Sequence, residues 1–365
     1  MGFRRCSMEG MGMNKNFWKG KRVFVTGHTG FKGSWLTLWL LKMGAEVCGY
    51  SLEPPFKPNL FELAQLKNCI SHFNEDIRDL ESLKRALNLF KPDIVFHMAA
   101  QSLVRISYKS PVETFDTNVM GTINLLESIR NTESVKVCVN ITSDKCYENR
   151  ETGTPFVEGD PMGGYDPYSC SKGCAELVTT AYRKSFLQDI GIATVRAGNV
   201  IGGGDWSEDR LIPDIIKSIL NKKEIIIRNP DAIRPWQHVL EPLRGYLMLA
   251  EALWADNKVF SQGWNFGPEN SDALPVHMIT QKIIDLWGNH YSWKPDVNAN
   301  PHEASYLRLN CSLAKIRLNW KPVFNIDKSL LYTVEWYKMY EKNENMYEYT
   351  LKQVEEYEKM PLLQH

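Results

Sequence analysis

The sequence has no long apolar run. Its longest near the N-terminus, Trp35 to Leu41, is cut off by Lys42. A bilayer span needs roughly 20 apolar residues, so a transmembrane helix is excluded. Neither sign of charge is in excess: 43 Lys+Arg stand against 43 Asp+Glu. That balance argues against gripping nucleic acid or an anionic membrane by bulk electrostatics, although a local basic pocket remains allowed. Cys-x-x-Cys is absent. The eight cysteines lie scattered at 6, 48, 69, 138, 146, 170, 174 and 311. No structural zinc site is supported, and no metal is expected. Cys170 and Cys174 are one helical turn apart but lack a second pair of ligands. The cysteines are too sparse for a disulfide scaffold, and a reducing cytoplasm fits them. The sequons Asn140-Ile-Thr142 and Asn310-Cys-Ser312 follow no recognisable signal peptide and read as chance.

What is present is an ordinary globular chain of 365 residues, 43% hydrophobic and 24% charged. At roughly 100–200 residues per domain, this suffices for two or three domains or one interwoven unit. Met1 to Gly12 reads as a disordered extension, with Met13 the more natural start. From Lys21 onward short apolar β-runs alternate with helical patterns. Lys21 to Gly27 is a strand and Trp35 to Met43 a helix. Strands at 45–50, 71–73, 94–97, 135–141 and 192–196 interleave with helices at 80–90, 117–130 and 168–187. This alternation predicts an α/β fold, a doubly wound parallel sheet with helices on both faces. After residue 196 the pattern turns mixed, with helices at 211–220 and 276–287 and strands at 224–227 and 263–266. The expected division is a leader 1–19 and a cofactor domain 20–195, to which 237–267 returns. Residues 196–236 and 268–350 form a smaller substrate domain, and 351–365 a tail. The Glu/Lys/Tyr-rich stretch from Tyr340 to Met360 reads as a solvated helix.

Gly27-His-Thr-Gly30-Phe-Lys-Gly33 sits where the first strand meets the first helix. Glycine permits a tight turn and close approach to a pyrophosphate, and the helix N-terminus adds N–H donors and a favourable dipole. The spacing is Gly-x-x-Gly-x-x-Gly, which departs from the commonest dinucleotide fingerprint. An acidic residue about 20 positions on usually holds the adenosine ribose. Glu53 is near that place without matching it cleanly, and serves equally as a solvated loop residue. No Arg occupies the stretch, which favours NAD over NADP. Asp76-Ile77 is a candidate for the adenine side, or else approaches a helix N-cap.

Tyr168-Ser-Cys-Ser-Lys172 puts a phenol and an ammonium at i and i+4 on one helix face. A neighbouring Lys⁺ and a cationic cofactor ring both favour tyrosinate, which suits a general base. At the end of the fifth strand stand Ser143, Asp144 and Lys145, where polar side chains face the ligand crevice of a parallel sheet. Ser143 can bond a sugar hydroxyl, and Asp144 can act as an acid if its pKa is raised. Lys145 can act as a base if desolvated. On their own they equally cap a turn.

Taken together, these segments resemble the extended short-chain dehydrogenase/reductases, the NAD-dependent epimerase/dehydratase family. Carrying the likeness are 27–35, Phe96-His-Met-Ala-Ala-Gln101, Thr142-Ser-Asp-Lys145 and Met162 to Tyr168. Val195 to Trp206, Asp209 to Pro213, Arg234 to Pro242 and His302-Glu-Ala304 add to it. It spans roughly residues 14 to 340. Within the family it points to the nucleotide-sugar 4,6-dehydratases. It implies NAD as cofactor, CDP-glucose as substrate, a cytoplasmic homo-oligomer, and a product feeding deoxysugars of bacterial surface polysaccharide. It implies cofactor contacts from Gly27, Thr29, Gly30, Phe31, Lys32, Gly33, Asp76, Ile77, Ala99, Ala100, Gln101, Tyr168 and Lys172. Tyr168 would take the 4-hydroxyl proton, and Asp144 would protonate the departing 6-hydroxyl. Relatives carry Glu where Lys145 stands, so Lys145 is either the carbon 5 base or an electrostatic stabiliser of the enolate. Arg234 and then Arg210 suit the diphosphate. Asn199, His238, and Trp206 or Trp236 are placed with the substrate, although either Trp serves as well as a core aromatic. No role follows for Glu303. Two other readings stay open, a 4-epimerase on the same scaffold and a non-catalytic NAD-binding sensor.

Overall fold

The computed structural model describes residues 14–149, 151, 153–288, 290–296 and 307–363. Seven parallel strands make the central sheet: β1 (Arg22–Thr26), β2 (Glu46–Ser51), β3 (Ser71–Asn74), β4 (Ile94–His97), β5 (Val137–Ile141), β6 (Gly191–Arg196) and β7 (Gly263–Asn265). They stand in the order β7-β6-β5-β4-β1-β2-β3. The order reverses between β1 and β4, so their carboxyl ends open a crevice there. Alternation within β1 serves two cores. Val23 and Val25 face one apolar cluster and Phe24 the other, as the period of two requires.

Helices cover both faces. These are α1 (Phe31–Lys42), α2 (Leu80–Phe90), α3 (Gly121–Arg130), α4 (Pro167–Ser185), α5 (Leu211–Leu220), α6 (Leu240–Ala255), α7 (Val276–Trp287), α8 (Ile326–Glu341) and α9 (Met346–Lys359). In α1 every residue from Gly33 to Leu40 is buried. A helix apolar all round must be covered on all sides, and α9 supplies the outer cover. Trp39 donates to Glu358 at 2.8 Å, and Lys42 pairs with Glu358 at 3.1 Å. Beyond β6 the chain forms small two-stranded pairs, among them Val200–Ile201 with Gln237–His238 and Ile225–Ile227 with Trp293–Pro295.

Three expectations need correction. The leader does not extend to residue 19, because Trp18 is buried and its indole donates to Glu251 at 2.7 Å. The 340–360 stretch is no solvated helix. It breaks after Glu341, and Met346, Val354 and Tyr357 of α9 are buried. Its charge had masked an apolar stripe at helical spacing. The helix expected from Thr117 is preceded by a helical turn, Pro111–Phe115, and a wide π-turn, Asp116–Met120, that runs into α3. His302 and Glu303 lie outside the described residues. Among the described residues no helix is long and apolar enough to cross a membrane, and no cluster could hold a metal ion.

Candidate active site

A cavity of ≈ 680 Å³ opens at the carboxyl ends of β1, β4 and β5 and extends under α5 and the segment 226–236. Its floor on the sheet side is the glycine loop. Gly27 has φ +72°, and a Cβ there would overlap the backbone of Ala99. At Gly33 a Cβ would overlap the carbonyl of Gly27. Gly30 differs, since a Cβ would meet only that carbonyl, at 3.3 Å, and would otherwise fill open cavity. Two glycines therefore close the turn and one leaves room for a ligand. The Thr29 hydroxyl donates to Leu52 O at 2.9 Å, and Phe31, Lys32 and Ile77 line the wall. Asp76 also lines it. Arg78 grips its carboxylate at 2.6–3.1 Å and holds it below the usual carboxylate range.

The loop after β4 is set by two side chains that the sequence reading did not single out. Thr26 accepts from the amides of Met98 and Ala99, both at 3.1 Å. Asn118, inside the π-turn, accepts from Gln101 N at 2.9 Å and donates to Gln101 O at 3.0 Å and to Ser171 at 2.8 Å. The widened turn brings this amide between the Ala99-Ala100-Gln101 loop and α4. A helical pattern across 111–130 gives no warning of that extra residue per turn.

All five catalytic candidates line the same cavity. Asp166 caps α4, accepting from Ser169 N at 2.9 Å, and so fixes where Tyr168 and Lys172 emerge. Lys172 donates to Ile141 O at 3.3 Å, at the end of β5. Burial pulls its pKa down to about 8, opposed by Glu176 and Cys146. Burial pushes Tyr168 up to about 12, with Ser143 pulling it back. Ser143 starts a short 3₁₀ turn, Asp144–Cys146, accepting from Lys145 N at 3.2 Å and donating to Asp144 at 3.1 Å. Asp144 is buried, and that burial raises its pKa against the pull of Lys145, Ser143, Arg234 and Lys32. Lys32 is lowered to about 7 by burial and by Lys172 and Arg210.

Behind these groups lies a buried ion pair that the sequence gives no reason to connect. Glu176 follows Lys172 by one turn on α4 and takes two bonds from Arg196 of β6, both at 2.8 Å. Thr142 donates to it at 2.5 Å and Thr194 at 2.6 Å. Arg196 also donates to the Tyr147 hydroxyl at 2.5 Å. This network grips the segment Thr142–Tyr147 at both ends, with Ser143, Asp144 and Lys145 between.

On the far wall the substrate candidates separate. Asn199 (φ +45°), Arg210 and Arg234 line the cavity. Arg210 bridges Asp205 at 2.8 Å and Ser102 at 3.2 Å. Trp206 and Trp236 line it too, although both are mostly buried. Trp206 packs edge-on against Tyr337 and Tyr340, with ring centroids 5.2 and 5.0 Å away. His238 does not reach the cavity. It is fully buried among Trp35, Phe324 and Tyr332, because the pairing of Gln237–His238 with Val200–Ile201 turns it into the core. Its placement among substrate residues is therefore corrected.

The comparisons with known proteins agree with this architecture. A family model described as GDP-mannose 4,6 dehydratase matches residues 24–331. The chain is 53% identical over 352 residues to the CDP-glucose 4,6-dehydratase of Salmonella typhimurium, covering 94% of this chain and 98% of that one. It is 28% identical over 335 residues to a probable dTDP-glucose 4,6-dehydratase of Sinorhizobium fredii, covering 87% and 92%. Among solved structures, the dTDP-glucose 4,6-dehydratase DesIV of Streptomyces venezuelae, with NAD and TYD bound, superposes with TM-score 0.76 at 24% identity. That match covers 88% of this chain and 98% of the other. With the sheet order, the glycine loop and the Tyr168/Lys172 helix in place, the matching model spans far more than half of the sequence. The chain belongs to the GDP-mannose 4,6-dehydratase family.

Proposed function

We propose that the protein converts CDP-D-glucose to CDP-4-dehydro-6-deoxy-D-glucose and water, with NAD regenerated in each turnover. The observation that carries this is the 53% identity, along nearly the whole length of both chains, to the Salmonella CDP-glucose 4,6-dehydratase. The cavity supplies matching chemistry. The open face of Gly30, the closed turn at Gly27 and the α1 N-terminus suit a dinucleotide pyrophosphate. Asp76, Ile77 and the 99–101 loop continue that half of the wall. NAD, when bound, supplies the reversible hydride acceptor linking oxidation at carbon 4 to reduction at carbon 6.

Tyr168 takes the proton of the 4-hydroxyl, with Ser143 and Arg210, and the positive ring of the cofactor when bound, opposing the burial that disfavours its phenolate. The carbon 4 ketone acidifies the carbon 5 proton, and Lys145, on the cavity wall next to Asp144, either takes that proton as a neutral amine or steadies the resulting enolate as an ammonium. Asp144, a carboxyl kept protonated to higher pH by its burial, gives its proton to the departing 6-hydroxyl. Ser143 orients the sugar, and Arg234 and Arg210 meet the diphosphate. A 4-epimerase needs no acid at Asp144, so a buried carboxyl of raised pKa favours the dehydratase. The exposed apolar side chains Tyr108, Val112, Met120 and Leu177 support a homo-oligomer. The seven described cysteines are free thiols, which supports a cytoplasmic setting.

The test is to incubate protein and NAD with CDP-glucose, UDP-glucose, dTDP-glucose and GDP-mannose in parallel. Loss of water from CDP-glucose, with formation of a 4-keto sugar and no net NADH, is the expected result. Bound NAD with no sugar converted would move the protein to the sensor reading, and epimerised sugar to the epimerase reading.

A further inference from the structure

Resting on the nucleotide-sugar reading, we infer that Asp214 and Arg228 together read the cytosine ring and set the choice of base. Cytosine presents an exocyclic amine that donates, beside a ring nitrogen and a carbonyl that accept. A site selecting it needs a hydrogen-bond acceptor next to a donor, on the wall of an apolar slot wide enough for a flat ring. Away from the sheet the cavity sets an acceptor and a donor beside apolar side chains. Asp214, in the first turn of α5, and Arg228, just after the strand Ile225–Ile227, both line it. Pro213, Ile226, Ile227 and Val276 form the adjoining apolar wall.

The other carboxylates on this wall are occupied. Asp205 is buried and bound to Arg210 at 2.8 Å and to Ser207 N at 3.1 Å. Asp209, at φ +60°, takes Arg228 at 2.9 Å and Arg105 at 3.3 Å. Among the described residues Asp214 has only a long contact, 3.7 Å, to the second nitrogen of the Arg228 fork. Burial pushes its pKa up to about 6, with Asp209 and Glu208 adding to the rise and Arg228 and Lys217 opposing it. The Asp214 side chain is 41% exposed, so its carboxylate is open to accept from a neutral N–H donor, and an exocyclic amine is one. Asp209 meanwhile fixes one side of the Arg228 guanidinium, leaving the fork aimed beside Asp214. Uracil and thymine put a carbonyl where cytosine has its amine. That oxygen would face the Asp214 carboxylate, so the same pair both attracts cytosine and repels the alternatives.

The experiment compares kcat/KM for CDP-glucose and UDP-glucose in the NAD-loaded wild type, Asp214→Asn and Arg228→Met. Asp214→Asn is expected to lose about 10- to 100-fold on CDP-glucose, and the CDP:UDP ratio is expected to fall at least tenfold. A ratio within about twofold of wild type, with either variant folded, overturns the inference. A wild-type measurement covers the case of poor folding. CMP is expected to inhibit at least tenfold better than the monophosphate of 2-pyrimidinone riboside, which lacks only the amine. Equal inhibition by the two likewise overturns the inference. Failure of the wild type to turn over CDP-glucose sinks the proposed function. Turnover with an unchanged ratio sinks this inference alone.

Discussion

The Asp144 carboxyl lies against the α-carbon of Gly198, so close that a methyl group at 198 would occupy the same space. The obstructing atom is the end of a side chain, so Gly198→Ala moves Asp144 and leaves the backbone where it is. The variant is expected to keep its melting temperature within a few degrees and to lose about 100-fold or more in kcat, since misplacing an acid by an ångström costs on that order. Steady-state rates and a thermal melt on the same preparation check this.

Asp144→Asn keeps the shape and removes the transferable proton. Its kcat is expected to fall by about 10²- to 10⁴-fold, the usual worth of a positioned acid. In the proposed mechanism oxidation at carbon 4 does not use Asp144. Quenched single turnovers should therefore yield a 4-keto nucleotide sugar that still carries its 6-hydroxyl. Finding only unreacted CDP-glucose would place Asp144 in the first step instead.

The Glu176–Arg196 pair is buried on both sides and bidentate. Glu176→Gln leaves a guanidinium with half its partner and is expected to cost about 3–5 kcal/mol at neutral pH. Arg196, Thr142 and Thr194 hold the Glu176 carboxyl below its usual range against the cost of burial. A depressed carboxyl contributes stability above its unfolded pKa, lost as pH falls through the folded one. The gap between wild type and Glu176→Gln should therefore shrink below about pH 4. Urea unfolding at pH 7 and below pH 4 reads this directly.

Glu241 has the opposite sign. It is buried at the start of α6, accepting from Val323 N, Phe324 N and Tyr357, and burial pushes its pKa up to about 7. A raised carboxyl contributes stability that is complete below the unfolded pKa and is lost as pH rises through the folded one. Relative to Glu241→Gln, the wild type is expected to lose about 1–3 kcal/mol between roughly pH 4.5 and 7, and no more above that. A parallel slope in the two proteins would remove Glu241 as the cause.

The alternation of short apolar runs with helical spacing was enough to read the sheet and its helices, because strands buried on both faces leave little else for Val137–Ile141 or Gly191–Arg196 to be. The glycine loop and the 143–145, 168 and 172 positions were legible because their residue types sit at strand ends and on one helix face. What stayed hidden depends on distant partners. His238 looked like a site residue within a conspicuous motif, but a two-residue pairing with Val200–Ile201 sends it inward. Glu176, Arg196 and Thr142 come from a helix and two strand ends that only the sheet order brings together. The π-turn at Asp116–Met120 has no compositional mark, so Asn118 passed as an ordinary helical residue. In α9, Tyr357 and Val354 were outweighed by the acidic and basic residues around them.

The most direct test of the central claim follows one hydrogen. CDP-glucose deuterated at carbon 4 is given to the protein with NAD in ordinary water. An internal redox cycle requires that deuterium to reappear on carbon 6 of the same product molecule, with no net NADH. Deuterium left at carbon 4, lost to solvent or released on free NADH would contradict the account.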